Sequence, residues 1–330
     1  MPVRNRVPRF LSDGWLLRDV PRALAVDPAD VFFTGLTKFA AGRTPSVVTV
    51  HDLGWRGIPE AYTLNERLRQ FRWHWWAARR ATRLVVVSEF TRADLTRWVP
   101  SCAARVRLIH EAVSPSWCRV KEPAALAAAR GRVGVEGPFI LAVGTLSPKK
   151  NLEALMAGFT ALRNQGFRKH QLVLVGKVGW KADTILAAAR RTQGVILAGY
   201  VEDEVLRSLY SAADLYVSAS LYEGFGLPVL EAMACETPVV AARAGAVPEV
   251  AGDAALLCEP TPAGLADAMA RVLGDDGFRR ELIVRGTRRL AAFSWERAAR
   301  ELAAVLAEAA ETVAQRPCSS LSMILGKSRI

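Results

Sequence analysis

The chain has 330 residues, 44 Lys/Arg against 32 Asp/Glu, and a hydrophobic fraction of 51%, enough to build two buried cores. No apolar run reaches the 18 or so residues that span a bilayer, and the Arg- and Pro-rich start lacks an apolar signal core, so a cytoplasmic location is expected. Cys102, Cys118, Cys235, Cys258 and Cys318 are scattered without metal-ligand spacing, which argues for reduced thiols and against a disulfide framework.

The first convincing strand is Asp30-Val31-Phe32-Phe33. Ser46-Val47-Val48-Thr49-Val50 is β-branched and delivers His51-Asp52-Leu53 at its carboxyl end. A lone His after a strand is most often structural; Asp52 could orient His51 or cap the next element. The formal charge of +12 is concentrated early, since residues 1–130 hold 21 basic against 11 acidic residues. Within 67–80, arginines and tryptophans interleave at helical spacing. Two readings stand: a face seated on anionic lipid headgroups, or a Trp stripe turned to the core beneath a solvated Arg face. The basic balance does not imply nucleic-acid binding, because no helix-turn-helix, RNP or zinc-knuckle pattern occurs. Leu84-Val85-Val86-Val87 then delivers Ser88-Glu89-Phe90, residues suited to capping a helix.

From residue 139 onward, apolar runs closed by small residues alternate with helical stretches. Leu172-Val173-Leu174-Val175-Gly176, Val195-Ile196-Leu197-Ala198-Gly199, Leu215-Tyr216-Val217-Ser218, Pro238-Val239-Val240-Ala241 and Ala255-Leu256-Leu257 read as strands, with helices over 151–164, 181–192, 203–213 and 231–235. This pattern predicts a doubly wound parallel sheet with ligands bound beyond its carboxyl ends. Lys149 and Lys150 lie on the loop after Gly144, with Asn151 able to cap the next helix.

The segment Glu223-Gly224-Phe225-Gly226-Leu227-Pro228-Val229-Leu230-Glu231 carries most of the functional information. Alone it reads as a loop-helix junction with a carboxylate in the first helical turn. Its chemistry also suits a nucleotide-sugar grip: glycines permit close backbone approach, Pro228 suits a helix start, and a helix N-terminus attracts a diphosphate. No Asp-x-Asp and no G-x-G-x-x-G occurs in the chain, so neither a metal-dependent transferase nor a dinucleotide oxidoreductase is indicated.

Taken in order, Val143-Gly144-Thr145-Leu146-Ser147-Pro148-Lys149-Lys150-Asn151, Gly176-Lys177-Val178-Gly179-Trp180, Gly199-Tyr200-Val201, Ser220 through Ala234, and Val247-Pro248-Glu249 resemble the donor half of a family 4 retaining glycosyltransferase. The likeness is nearest to bacterial mannosyltransferases of O-antigen and exopolysaccharide assembly. It implies an α/β protein with two Rossmann-like doubly wound domains facing a cleft (GT-B): 1–122 on the acceptor side, 123–312 binding the donor, and 313–330 a weakly ordered tail. It also implies transfer of a hexose with retention from a nucleotide diphosphate sugar, GDP-mannose favoured over a UDP-sugar, to a lipid-linked saccharide. No metal is implied, and the protein would be cytoplasmic or peripheral on the inner face of the plasma membrane.

By the same resemblance, Glu223 and His51 are the catalytic candidates. Donor contacts fall to Glu231, Lys150, Lys149, Gly144, Thr145, Lys177, Tyr200, Val201, Gly224, Phe225, Gly226 and Leu227, while Ser88 matches a position near acceptor or phosphate. Many relatives carry Arg where Thr145 stands, which shifts phosphate neutralisation onto Lys150 and then Lys149. Relatives also open with a strand, a glycine-rich loop and a helix, whereas this chain reaches its first strand at Asp30, so the acceptor-side domain is expected to be shortened. A non-catalytic or degraded nucleotide-sugar-binding module, a membrane-associated partner of an active transferase, is therefore the competing expectation.

Overall fold

A computed structural model describes residues 15–38, 42 and 44–314; the expected tail at 315–330 lies outside them. The first sheet contains β1 (Phe32–Thr34), β2 (Ser46–Val50), β3 (Arg83–Val86) and β4 (Val106–Leu108), all parallel and in that order. Around it run α1 (Val20–Val26), α2 (Gly54–Gly57), α3 (Leu64–Arg80) and α4 (Glu89–Trp98). The start of α3 is set by a capping box, with Thr63 accepting from the Glu66 N–H and Glu66 accepting from the Thr63 N–H. Ser88 caps α4 by accepting from the Thr91 N–H, the simpler of its two expected roles.

All five residues of β2 are buried, which explains its unbroken β-branched run. Val48, Val50, Leu84 and Val86 pack against Ala77 and Ala78 of α3 and Leu95 of α4 on one face. Val47 and Val85 turn to the other face.

The second sheet follows α5 (Pro123–Val133). In chain order it is built from β5 (Phe139–Val143), α6 (Leu152–Asn164), β6 (Gln171–Val175), α7 (Asp183–Arg191), β7 (Val195–Gly199), α8 (Asp203–Ala212), β8 (Leu215–Ser218), α9 (Leu227–Ala234), β9 (Val239–Ala242), α10 (Val247–Ala251) and β10 (Leu256–Cys258). Three helices close the described chain: α11 (Pro262–Gly274), α12 (Asp276–Leu290) and α13 (Trp295–Ala314). Spatial order is β10-β9-β8-β5-β6-β7, all parallel, so strand order reverses between β5 and β8. Such a switch point is where two neighbouring loops diverge and leave a crevice. The expected strands and helices fall within a few residues of those observed. The helix expected at 231–235 is longer, because Gly226 at φ +107° turns the chain into α9 four residues earlier and Pro228 occupies its second position. Glu231 consequently lies just past the first turn, not within it. Asn151 stands at the N-cap of α6 without capping it; its amide donates to the Pro260 carbonyl at 2.9 Å.

Chain order and packing part company at the last helix. By sequence α13 falls largely in 123–312, yet Ala298, Val305 and Ala309 cover Val47 and Val85 of the first sheet. Glu308 of α13 pairs there with Arg83 at 3.0 Å and with Arg107.

The lobes are docked by long-range contacts. Tyr222, after β8, donates to Asp94 Oδ2 of α4 at 2.6 Å, and its ring occupies the space a Gly57 side chain would need. Glu249 of α10 accepts from the Glu89 and Phe90 N–H groups at 2.9 and 3.1 Å and pairs with His110 Nε2 at 3.0 Å. A carboxylate from one lobe thereby neutralises the start of α4 in the other. Removing the hydroxyl in Tyr222→Phe leaves one buried Asp94 oxygen without its donor, at an expected cost of about 1–3 kcal/mol in urea unfolding. An unchanged midpoint would show that solvent replaces the hydroxyl.

Candidate functional site at the seam between the lobes

Three strand ends feed one buried cluster. The loop after β5 turns through Pro148–Lys150 and projects two lysines; the loop after β8 projects Glu223; the loop after β2 projects Asp52. Lys150 Nζ donates to Glu223 Oε1 at 2.5 Å, and Lys149 Nζ donates to Asp52 Oδ2 at 2.7 Å while lying 4.0 Å from Glu223 Oε2. Asp52 Oδ1 accepts from the Gly54 N–H at 2.8 Å, a local turn bond just before α2, whose N-cap is Leu53. Two cations and two anions thus alternate at the seam, with Asp52 the one member from the first lobe, the arrangement that buried charge requires.

Burial by itself would raise the Glu223 carboxyl, but Lys150 and Lys149 overcome it and hold it below its ordinary value. Asp52 behaves alike: burial raises it, and Lys149 brings it below the usual range. For Lys149, burial opposes the charge, yet Asp52 and Glu223 raise its ammonium above the ordinary value. All three are therefore ionised at neutral pH.

The backbone beside Glu223 is as constrained as its side chain. A Cβ on Gly224 would meet the His51 carbonyl oxygen at 1.9 Å, so only glycine permits this approach of the two lobes. The Gly224 carbonyl accepts from Ser88 Oγ at 2.6 Å. At the other end of the motif, Glu231 Oε2 accepts from Tyr210 at 3.0 Å, and burial raises its carboxyl despite that bond.

The remaining expected residues separate into groups. Lys150 packs its stem over Gly144, Thr145 is exposed, and Leu227 opens α9. Lys177 lies over the exposed Tyr200 ring, 4.6 Å from its centroid, in a cation–π contact. Val201 and Phe225 are buried; Phe225 packs on Phe293 and His110, so both side chains serve the core and leave only backbone to a ligand. His51 sits at the rim of the cluster. Its Nε2 faces the Gly35 carbonyl at 2.8 Å and its Nδ1 faces Glu111 Oε1 at 3.1 Å. Two acceptors on one imidazole favour the cation, and the Glu111 hydrogen bond raises its pKa. The imidazole is thus held within its own lobe, while its carbonyl meets Gly224. Among the described residues, no group of three or more His, Cys, Asp or Glu could hold a metal ion.

Sequence reasoning did not find the Asp52–Lys149 pair or the Tyr222–Asp94 and Glu249–α4 contacts. The first joins residues 97 positions apart, and no local pattern marks it. Glu249 was visible only as part of Val247-Pro248-Glu249.

Two parallel α/β lobes meeting at a charged switch point define a two-Rossmann (GT-B) glycosyltransferase. The chain belongs to glycosyltransferase family 4, with a match to that family over residues 2–117 and to "Glycosyl transferases group 1" over residues 137–275. It is 32% identical to the O-antigen chain mannosyltransferase B of Escherichia coli over 289 residues, 86% of this chain and 74% of that protein. Sucrose-phosphate synthase from Thermosynechococcus elongatus superimposes with TM-score 0.72 at 26% identity, covering 87% of this chain and 75% of that one. Anabaena HepE, solved with UDP and glucose, superimposes with TM-score 0.66 at 20% identity over 93% and 84% of the two chains. The protein is a glycosyltransferase.

Two outcomes are expected. Gly224→Ala drives the lobes apart and abolishes turnover, and small-angle scattering of the variant shows a larger radius of gyration; unchanged scattering and activity would show that the approach is dispensable. Glu223 and Asp52 are depressed below their unfolded values of roughly 4, so their contribution is complete above that range and is lost as pH falls through the native values. In thermal melts, Glu223→Gln should be less stable than wild type near neutrality, with the gap closing in acid.

Proposed function

We propose that the enzyme transfers a hexosyl group, mannosyl favoured, from a nucleotide diphosphate sugar to a hydroxyl of a lipid-linked saccharide, with retention, in cell-surface polysaccharide synthesis. GDP-mannose is the favoured donor, with a UDP-sugar as the alternative, and no metal is required. The reaction is assigned to the inner face of the plasma membrane. The observation that carries the reading is the Lys150–Glu223 pair at the switch point beside the start of α9. The mannosyltransferase relative supports the sugar, and the UDP held by HepE supports a nucleoside diphosphate leaving group.

A diphosphate entering at the α9 N-terminus competes for Lys150 and frees the Glu223 carboxylate to hold sugar hydroxyls. As the bond from the anomeric carbon to phosphate oxygen lengthens, positive charge grows on the sugar and Glu223 stabilises it. The acceptor oxygen bonds to the same face while its proton passes to the departing phosphate oxygen. Lys150 and the helix start balance the negative charge left on the diphosphate, and Glu231 accepts from the ribose diol.

Titration calorimetry against GDP, UDP, ADP and their sugars, followed by assay of nucleoside diphosphate release, tests this reading. Glu223→Ala should lower kcat by roughly 100- to 1,000-fold with little change in donor affinity, whereas Glu231→Ala should weaken donor binding by about 10- to 100-fold. Equal, small effects would refute these roles. A diol donates to the ionised carboxylate, so donor affinity should be full above the raised Glu231 value and fall as pH drops through it. Glu231→Gln should lack that acid limb.

A further inference from the structure

Four exposed apolar side chains fall on one line of one helix. Leu64, Leu68, Phe71 and Trp75 of α3 are 66%, 54%, 41% and 39% exposed. At helical geometry these positions lie within about 60° of arc along a stripe about 16 Å long. The stripe is held firmly: Phe71 and Trp75 stack with centroids 6.0 Å apart, and both pack on Trp98 at 5.9 and 5.8 Å. Only Phe71 also touches the core, edge-on to Trp55 with centroids 5.9 Å apart; Leu64, Leu68 and Trp75 are surplus to it, since α3 buries Trp73, His74, Ala77 and Ala78 elsewhere on its surface. Arg67 borders the stripe on one flank, Arg72 and Arg79 on the other, and the Arg79 guanidinium lies 5.2 Å from the Trp75 ring centroid. The one acidic residue of α3, Glu66, is engaged in the capping box.

We propose that this face of α3 docks on an anionic lipid bilayer, with the helix lying in the headgroup plane. Charge complementarity selects that occupant. A second copy would bring arginines against arginines, whereas anionic headgroups neutralise them while the apolar stripe and the Trp75 indole enter the interface. The opposite flank of α3 gives the docking a purpose. Arg69, Gln70, Trp73 and His74 wall a cavity of about 350 Å³ that reaches His51 and Asp52. A lipid-anchored acceptor held at the docked surface would meet the seam through this cavity; that purpose, unlike the docking itself, rests on the reaction proposed above.

The test is co-sedimentation of the full chain with vesicles of phosphatidylglycerol in phosphatidylcholine, against pure phosphatidylcholine. Binding to the anionic vesicles alone, weakened by salt, is expected. Reversing three arginines (R67E, R72E and R79E) should lower partitioning on the order of a hundredfold, and Leu64→Ser with Leu68→Ser should lower it in a salt-independent way. Both variants should keep wild-type melting temperature and calorimetric donor affinity. Failure to bind anionic vesicles, partitioning untouched by either variant, or a stable dimer dissociated by the leucine substitutions would each overturn the proposal. Loss of donor binding in the wild-type chain, with vesicle binding intact, would count against the transferase reading and leave the docking surface standing.

Discussion

The structure turns on two lysines buried between two carboxylates at the junction of the lobes. Lys150 pairs with Glu223 inside the second lobe, whereas Lys149 reaches across to Asp52, so Asp52 of the first lobe finds its cation only in the other lobe. Separating the lobes would strand buried ions, and that cost ties docking to the ionisation of the site. In the proposed reaction the same four groups form the chemical centre. In that reaction a ligand diphosphate entering here would exchange one anionic partner of a lysine for another, which would couple donor binding to freeing of the carboxylate. Structural stability and the preparation of the site therefore draw on one set of interactions.

Topology explains why these residues meet. Parallel strands deliver their carboxyl ends to one side, and the reversal between β5 and β8 places the lysine loop beside the Glu223 loop. The first sheet supplies Asp52 and the His51 carbonyl from the facing edge. Gly224 sets the distance of closest approach, since any larger residue would occupy the volume of that carbonyl. Tyr222–Asp94 and Glu249 at the start of α4 then pin the lobes on either side of the glycine. Chemistry and docking thus alternate along the stretch 222–226.

The first sheet also shows how burial demand reorganises chain order. Its strands are apolar on both faces, but α3 and α4 cover only one. The other is covered by α13, which returns from the far end of the chain and is anchored by Glu308. Helix α3 meets the opposite demand, with one flank buried, one lining the cavity near Asp52, and one left apolar and exposed. The core-facing reading of the interleaved Arg and Trp residues holds for Trp73, whereas Trp75 faces out.

How much of this was legible beforehand depends on the range of the interactions. Short apolar runs closed by glycine, the Ser88 cap and the Glu223-to-Glu231 motif are local patterns, and local dihedral and burial preferences determine them. The strands, most helix limits and the family could therefore be read from the sequence. Partners across the seam could not: Asp52 with Lys149, Tyr222 with Asp94, Glu249 with α4, and α13 with β2 join residues roughly a hundred or more positions apart. Whether His51 turned its ring or its carbonyl to the seam was equally undecided, since either geometry suits a His after a strand. Tertiary packing decided it, because Glu111 and Gly35 hold the ring while Gly224 admits only the backbone.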